Sequence, residues 1–284
     1  MTEIELPVAV VGSLSPSRAG DFKTCPLLYR FRTIDRLPEP ASSVATRGTL
    51  VHAVLEEIFD LPSAQRTLDT AKGLLPAAWE RVLAEEPAVA ELFDGDTDFA
   101  EWMASAEQLL ANYFTLEDPS RFEPGAREQL VEVVVDGLRL RGYVDRLDIS
   151  PAGDLRVVDY KTGAAPREAF EAKALFQLKF YALVLWRTRG VVPRQLRLMY
   201  LADADTLTAS FDADELERFE RSLKALWSAI ERATLAGDFR PNPSRLCDWC
   251  SHQALCPAKG GTPPPFPYDA LATSTEDRRA ADTP

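Results

Sequence analysis

What this sequence lacks narrows it first. No stretch approaches the roughly 20 consecutive apolar residues that a membrane-spanning helix needs. The first seven residues are acidic and lack the basic run of a secretory leader, so the expected compartment is the cytoplasm. No H-E-x-x-H run occurs, which removes the familiar helical signature of a zinc hydrolase. No internal repeat and no base-reading motif is visible. Cysteine is scarce, four in 284 residues, and a reducing compartment argues against two disulfides. The rest is ordinary: 46% hydrophobic and 27% charged residues exclude a disordered chain, a collagen and a disulfide-built miniature.

Basic charge is also in deficit. Net charge is −12, from 32 basic and 44 acidic side chains, which argues against a general nucleic-acid coat. The deficit is local. Residues 50–127 carry 16 acidic and 5 basic side chains, whereas residues 128–200 carry 9 acidic and 12 basic ones. An acidic block therefore precedes a mildly basic centre, and a polyanionic substrate stays open to the protein.

The pattern along the chain predicts a helix opened by Ser15 and Pro16 and running to about Arg32, then a second over Thr46–Phe59. From Leu61 to about Leu116 the reading is helical and acidic, with Trp79, Leu83, Trp102, Leu109 and Tyr113 as core contacts. The texture changes at Glu128. Strands are expected over Leu130–Val135, Leu138–Ile149 and Leu155–Lys161, with Asp136-Gly137 as a hairpin turn. A helix over Arg167–Arg189, a strand over Gln195–Leu201 and an amphipathic helix over Asp212–Ala236 follow. The order β-β-β-α-β implies an α/β fold with a mixed sheet packed by helices. From Gly260 onward the Gly, Pro, Thr and charged composition predicts disorder.

Two groups of residues carry chemistry. In the strand ending at Lys161, side-chain alternation puts Asp159 and Lys161 on one face. An isolated Asp-x-Lys is most often a surface ion pair, but this one ends an apolar strand that would not bury a carboxylate without reason. The preceding strand offers Asp145 across a tight turn. Two carboxylates with backbone carbonyls and water suit Mg²⁺ or Mn²⁺. Downstream, Gln177 and Tyr181 share a helical face at i and i+4. The second group is the cysteines. Cys247, Cys250 and Cys256 crowd ten residues, and Cys25 stands alone 221 intervening residues away. Four thiols in this layout suit one shared metal centre, zinc or iron–sulfur, and His252 could replace a thiolate.

The motifs Gly142-Tyr-Val-Asp-Arg-Leu-Asp148, Val158-Asp-Tyr-Lys-Thr-Gly163 and Gln177-x-x-x-Tyr181 occur in the order found in the RecB-like branch of the PD-(D/E)XK nucleases, which the chain resembles. Arg47-Gly-Thr-Leu-Val-His52 looks like that branch's upstream motif. The resemblance implies a restriction-endonuclease-like fold: one domain over residues 1–259, a helical insertion over 53–127 and a structural cysteine staple at 25 and 247–256. It implies that His52, Asp145, Asp159 and the carbonyl of Tyr160 hold Mg²⁺ or Mn²⁺. Lys161 would be the catalytic lysine, and Gln177 and Tyr181 would support the site or contact DNA. Glu128 and Glu132 are equal candidates to approach it, and neither is assigned.

The cysteine layout resembles the [4Fe–4S] staple of AddB-type and CRISPR-associated members, with structural Zn²⁺ as the alternative. The implied activity is DNA exonuclease action on ends or single strands, in repair or recombination, with a helicase or repair protein as partner. A DNA- or helicase-binding module without cleavage and a nuclease of CRISPR spacer acquisition are the alternatives. Arg18, Arg146 and Lys179 are the cations expected to touch DNA; Phe22, Tyr29, Phe31 and Trp249 could stack on bases, although core packing is the expected place of most of them.

Overall fold

The β-rich run after residue 125 forms the first strands of a five-stranded mixed sheet, in a computed structural model that describes residues 12–165 and 171–267. The strands are β1 (Ala126–Val135), β2 (Leu138–Ile149), β3 (Leu155–Lys161), β4 (Gln195–Tyr200) and β5 (Asp205–Ala209), adjacent in sequence order. Gly137, at φ 80, makes the turn between β1 and β2. β2 and β3 pair antiparallel, β3 and β4 parallel, and β4 and β5 antiparallel. A parallel neighbour requires a crossover, and the segment containing helix α6 (Glu171–Arg189) supplies it. β5 has no counterpart in the sequence reading: most of its side chains are exposed, so no buried face marks it.

Before the sheet come α1 (Pro16–Thr24), α2 (Pro26–Tyr29), α3 (Ser43–Glu57), α4 (Leu68–Glu85) and α5 (Asp96–Leu116); α7 (Ala213–Ala236) follows it. The single helix expected to run to Arg32 is interrupted. Ser15 caps α1 as expected, accepting from the Arg18 N–H. Cys25 is extended at φ −160, ψ 113, and Pro26 starts α2. A proline disfavours helical backbone in the residue before it, so the break falls on the cysteine itself. Arg30–Ile34 then form a π-type turn.

Contacts divide the chain into two units: Met1–Pro40 with Glu132–Arg141 and Glu217–Pro284, and Ala41–Val131 with Gly142–Leu216. In the first, Leu14 bridges to Leu140 of β2, and Pro264 accepts a hydrogen bond from Arg30. Phe266 stacks on Phe239, with ring centroids 5.8 Å apart, so this part of the expected tail is in contact; residues 268–284 lie outside those described. In the second, the acidic block packs Leu50, Val54, Leu75, Trp79, Trp102, Leu110 and Tyr113 against Val158, Tyr160, Met199 and Leu201 of the sheet side. Among the described residues no helix is long and apolar enough to cross a membrane.

Strand alternation divides the work between the two faces of β2 and β3. Val158 and Tyr160 join the core, with Arg146 beneath them. Arg146 was expected at DNA. It is instead 0% exposed and therefore out of a phosphate's reach. Its guanidinium grips both oxygens of Glu117 and donates to the Tyr160 hydroxyl at 2.7 Å; its Nε lies 3.1 Å from Asp148. The Phe122 ring covers it at 4.7 Å. Losing one member of a buried ion network costs roughly 3–5 kcal/mol, because the partner charge is left behind. Arg146→Met is expected to lower unfolding free energy by about that amount in urea denaturation. A loss below about 1 kcal/mol, the range of an exposed pair, contradicts the assignment.

Candidate active site

The β2–β3 ladder supplies the frame. Its last registered pair toward the site is Arg146 with Val158. One step further the register sets Asp145 opposite Asp159, and there the ladder opens: the Tyr160 N–H donates to Asp145 Oδ2 at 2.6 Å. A backbone donor that would serve a strand carbonyl is given to a carboxylate instead. On the other side of that peptide, the Tyr160 carbonyl lies 3.0 Å from His52 Nε2. His52 comes from α3, whose Gly48, one turn earlier, meets the β3 exit closely. A Cβ at Gly48 would stand 3.3 Å from Thr162 Oγ1. Arg47 in the same motif bonds Ser105 of α5 at 2.9 Å, fixing α3 from its other flank.

His52 Nδ1 lies 3.5 Å from Asp145 Oδ2 and 4.0 Å from Glu128 Oε1. His52, Glu128 and Asp145 each place a ligand atom within 4.8 Å of the others. Glu128 is the residue that the motifs did not single out from Glu132. It sits in β1 at φ 41, a left-handed conformation uncommon for a side chain larger than glycine. In an unbroken strand residues 128 and 132 would share a face. Here Glu132 pairs with Arg139 at 2.9 Å. Nothing in the local sequence announces that backbone feature.

Asp159 is 2% exposed and ion-paired with Lys161. α6 holds its other oxygen: Gln177 donates to Asp159 Oδ1 at 2.7 Å and reaches the Tyr181 hydroxyl at 3.2 Å. Gln177 thus joins the Asp159 carboxylate to the Tyr181 hydroxyl through its amide nitrogen. Of the remaining cations, Arg18 is turned inward onto Ser13, and Lys179 lies 3.5 Å from Glu215 and over the Phe211 ring. Tyr29 and Phe31 are buried, whereas Trp249 is 77% exposed.

The electrostatics describe a site short of positive charge. Burial, then the charge of Asp159, pushes the Asp145 carboxyl well above its usual range. Burial, then Glu56 and Asp159, raises that of Glu128. Burial lowers His52, opposing an imidazolium there. A neutral imidazole has one N–H, yet both ring nitrogens face oxygen. With one ring nitrogen at the Tyr160 carbonyl and the other facing Asp145 and Glu128, a cation between them would give the imidazole lone pair and the carboxylates a common partner. Carboxylate, carbonyl and imidazole donors fit a hard divalent ion such as Mg²⁺ or Mn²⁺.

All four cysteines line one cavity of about 210 Å³, with Leu27, Phe31 and His252 among its other walls. The Asn242 N–H donates to Cys25 Sγ at 3.4 Å and the Ser244 N–H to Cys247 Sγ at 3.3 Å. No three of the sulfurs lie within 4.8 Å of one another. His252 Nε2 is turned to Glu39, 2.9 Å away.

The family model of the PD-(D/E)XK nuclease superfamily matches residues 13–257. The Gene 69 protein of Mycobacterium phage D29 is 27% identical over 287 aligned positions, covering 90% of this chain and 99% of that protein. The Gene 69 protein of Mycobacterium phage L5 is 25% identical, covering 86% and 95%. A solved structure of a presumed exonuclease from Eubacterium rectale is similar at a TM-score of 0.55 and 15% identity, over 84% of this chain and 87% of that one. That likeness concerns the fold.

If Gln177 orients Asp159 toward a cation, its removal weakens metal binding before it affects folding. Outer hydrogen-bond partners of metal ligands typically contribute 10–100-fold in affinity. Titration calorimetry with Mn²⁺ is expected to show a loss in that range for Gln177→Leu. An unchanged dissociation constant removes Gln177 from this role.

Proposed function

The chain belongs to the PD-(D/E)XK nuclease superfamily, and from that premise we propose that it is a divalent-metal-dependent DNA exonuclease acting on ends or single strands. The observation that carries this reading is the opened ladder, which gathers His52, Glu128, Asp145 and the Tyr160 carbonyl, with Asp159 opposite Asp145 and paired with Lys161. His52, Asp145, Asp159 and the Tyr160 carbonyl would hold Mg²⁺ or Mn²⁺, with Glu128 as a further donor. Such an ion polarises a phosphodiester and lowers the pKa of water, making a nucleophile available near neutral pH.

The chain's own groups do the rest. Lys161, partly exposed beside a buried Asp159, presents its ammonium to the phosphate and offsets negative charge developing in the transition state. Gln177 and Tyr181 keep Asp159 aimed. Asp145, fixed by the Tyr160 N–H, cannot rotate away without leaving a backbone donor unpaired. The exonuclease assignment draws on the presumed exonuclease among similar structures. A role in repair or recombination, with a helicase as partner, belongs to the same reading.

The four cysteines hold a [4Fe–4S] cluster in this proposal. Support comes from their shared cavity and from two N–H donors aimed at sulfur, the kind of contact that stabilises thiolate. Structural Zn²⁺ at the same four thiols is the alternative.

With end-labelled DNA and Mn²⁺, anaerobically purified protein is expected to release labelled products, and Asp159→Ala or Lys161→Ala to release none while keeping a wild-type melting profile. Full activity in either variant contradicts the assignment. Absence of cleavage by intact protein on single-stranded, duplex and flapped substrates favours a binding module. Iron and acid-labile sulfide should be present in the wild type and lost in Cys250→Ser; zinc alone in the wild type contradicts the cluster.

A further inference from the structure

The cysteine cavity is closed by more than its thiols. His252, between Cys250 and Cys256, is one of two histidines in the chain and is only 4% exposed. Its Nε2 lies 2.9 Å from Glu39 Oε1, and its ring meets Phe31 edge-on at 5.3 Å between centroids. Glu39 is fixed in turn. Arg32 donates Nε to Oε1 at 2.8 Å and Nη2 to Oε2 at 3.1 Å, a two-pronged grip, while its Nη1 reaches Asp21 of α1 at 2.8 Å. This chain of contacts runs from the cysteine loop to both sides of Cys25, which interrupts α1 and α2.

The cavity needs such a device. The sulfurs come from two segments separated by 221 residues, and the loop that carries three of them is built from short 3₁₀ turns with few buried side chains. A site that only metal could assemble would charge the whole ordering cost of those segments to metal binding. A buried imidazole against a carboxylate that arginine already orients meets part of that cost beforehand. Edge-on packing against Phe31 adds a contact that a smaller donor could not make.

We infer that His252 is a positioning residue for the thiol cavity. Through Glu39 and Arg32 it holds the Cys247–Cys256 loop against the segment bearing Cys25, so that the thiols are assembled before a metal group arrives. The part concerning metal rests on the cysteine reading proposed above; the latch itself does not.

Two readouts on full-length, reduced, metal-free protein separate these claims. Hydrogen exchange at the amides of residues 247–256 tests the latch without metal. His252→Phe, which keeps a ring against Phe31 but removes the contact with Glu39, should speed exchange there by about tenfold or more. His252→Gln, which restores an N–H donor, should recover part of that protection. Co²⁺ titration then reads sulfur ligation through thiolate-to-cobalt absorption. His252→Phe is expected to weaken Co²⁺ binding by about 10–100-fold, with partial rescue by His252→Gln. Glu39→Gln, at a partly exposed position that tolerates change, carries the same test if His252→Phe does not fold. Wild-type exchange rates in both His252→Phe and Glu39→Gln overturn the latch. Thiolate absorption missing from the wild type contradicts the metal reading, while the exchange data still decide the latch.

Discussion

The peptide of Tyr160 is the constraint on which the site depends. Its N–H holds Asp145 and its C=O meets His52, while its ring and hydroxyl belong to the core beside Val158 and Arg146. One residue thus fixes two prospective metal ligands from β2 and α3, and is itself fixed by packing on the opposite face of the sheet. Site geometry and core packing are consequently one problem. Side chains anchored this way keep their positions without a ligand, which is the preorganisation that electrostatic catalysis requires.

Burial sets the chemistry of those positions. Asp145 and Asp159 are withdrawn from water and face one another across the ladder, so burial and the charge of Asp159 make the charge of Asp145 harder to hold. Lys161 compensates on one side and the Gln177 amide on another. The remaining excess of oxygen and nitrogen lone pairs is what a divalent cation would satisfy. Arg146 shows the opposite solution: a buried cation whose carboxylate partners come with it, leaving no vacancy for a ligand. Adjacent residues in one motif thus belong to the candidate site and to the core separately, because a strand sends them to opposite faces.

That alternation also decides what the sequence could reveal. Asp145, Asp159 and Lys161 were legible because their spacing in two hairpin-linked strands leaves little freedom; Gln177 and Tyr181 were legible because i and i+4 share a helical face. His52 was recognisable only through the resemblance of its motif. Glu128 was not separable from Glu132, since the left-handed backbone that turns it toward His52 has no signature in glutamate. Arg146 read as a phosphate contact because its partner Glu117 lies 29 residues earlier, at the end of α5. β5, a largely exposed strand, gave no periodicity to read. The cysteines were legible as a group, but the break at Cys25 emerges only when the effect of Pro26 on the preceding residue is given its weight.

The central claim is that the opened β2–β3 ladder builds one cation site with histidine and carboxylate donors. Anomalous diffraction from crystals of the protein soaked in Mn²⁺ tests it most directly. The account predicts a single strong manganese peak within bonding distance of His52, Asp145 and Asp159, with the Tyr160 carbonyl turned toward it. A manganese position away from these residues, or none at saturating concentration with the side chains in the described arrangement, would contradict it.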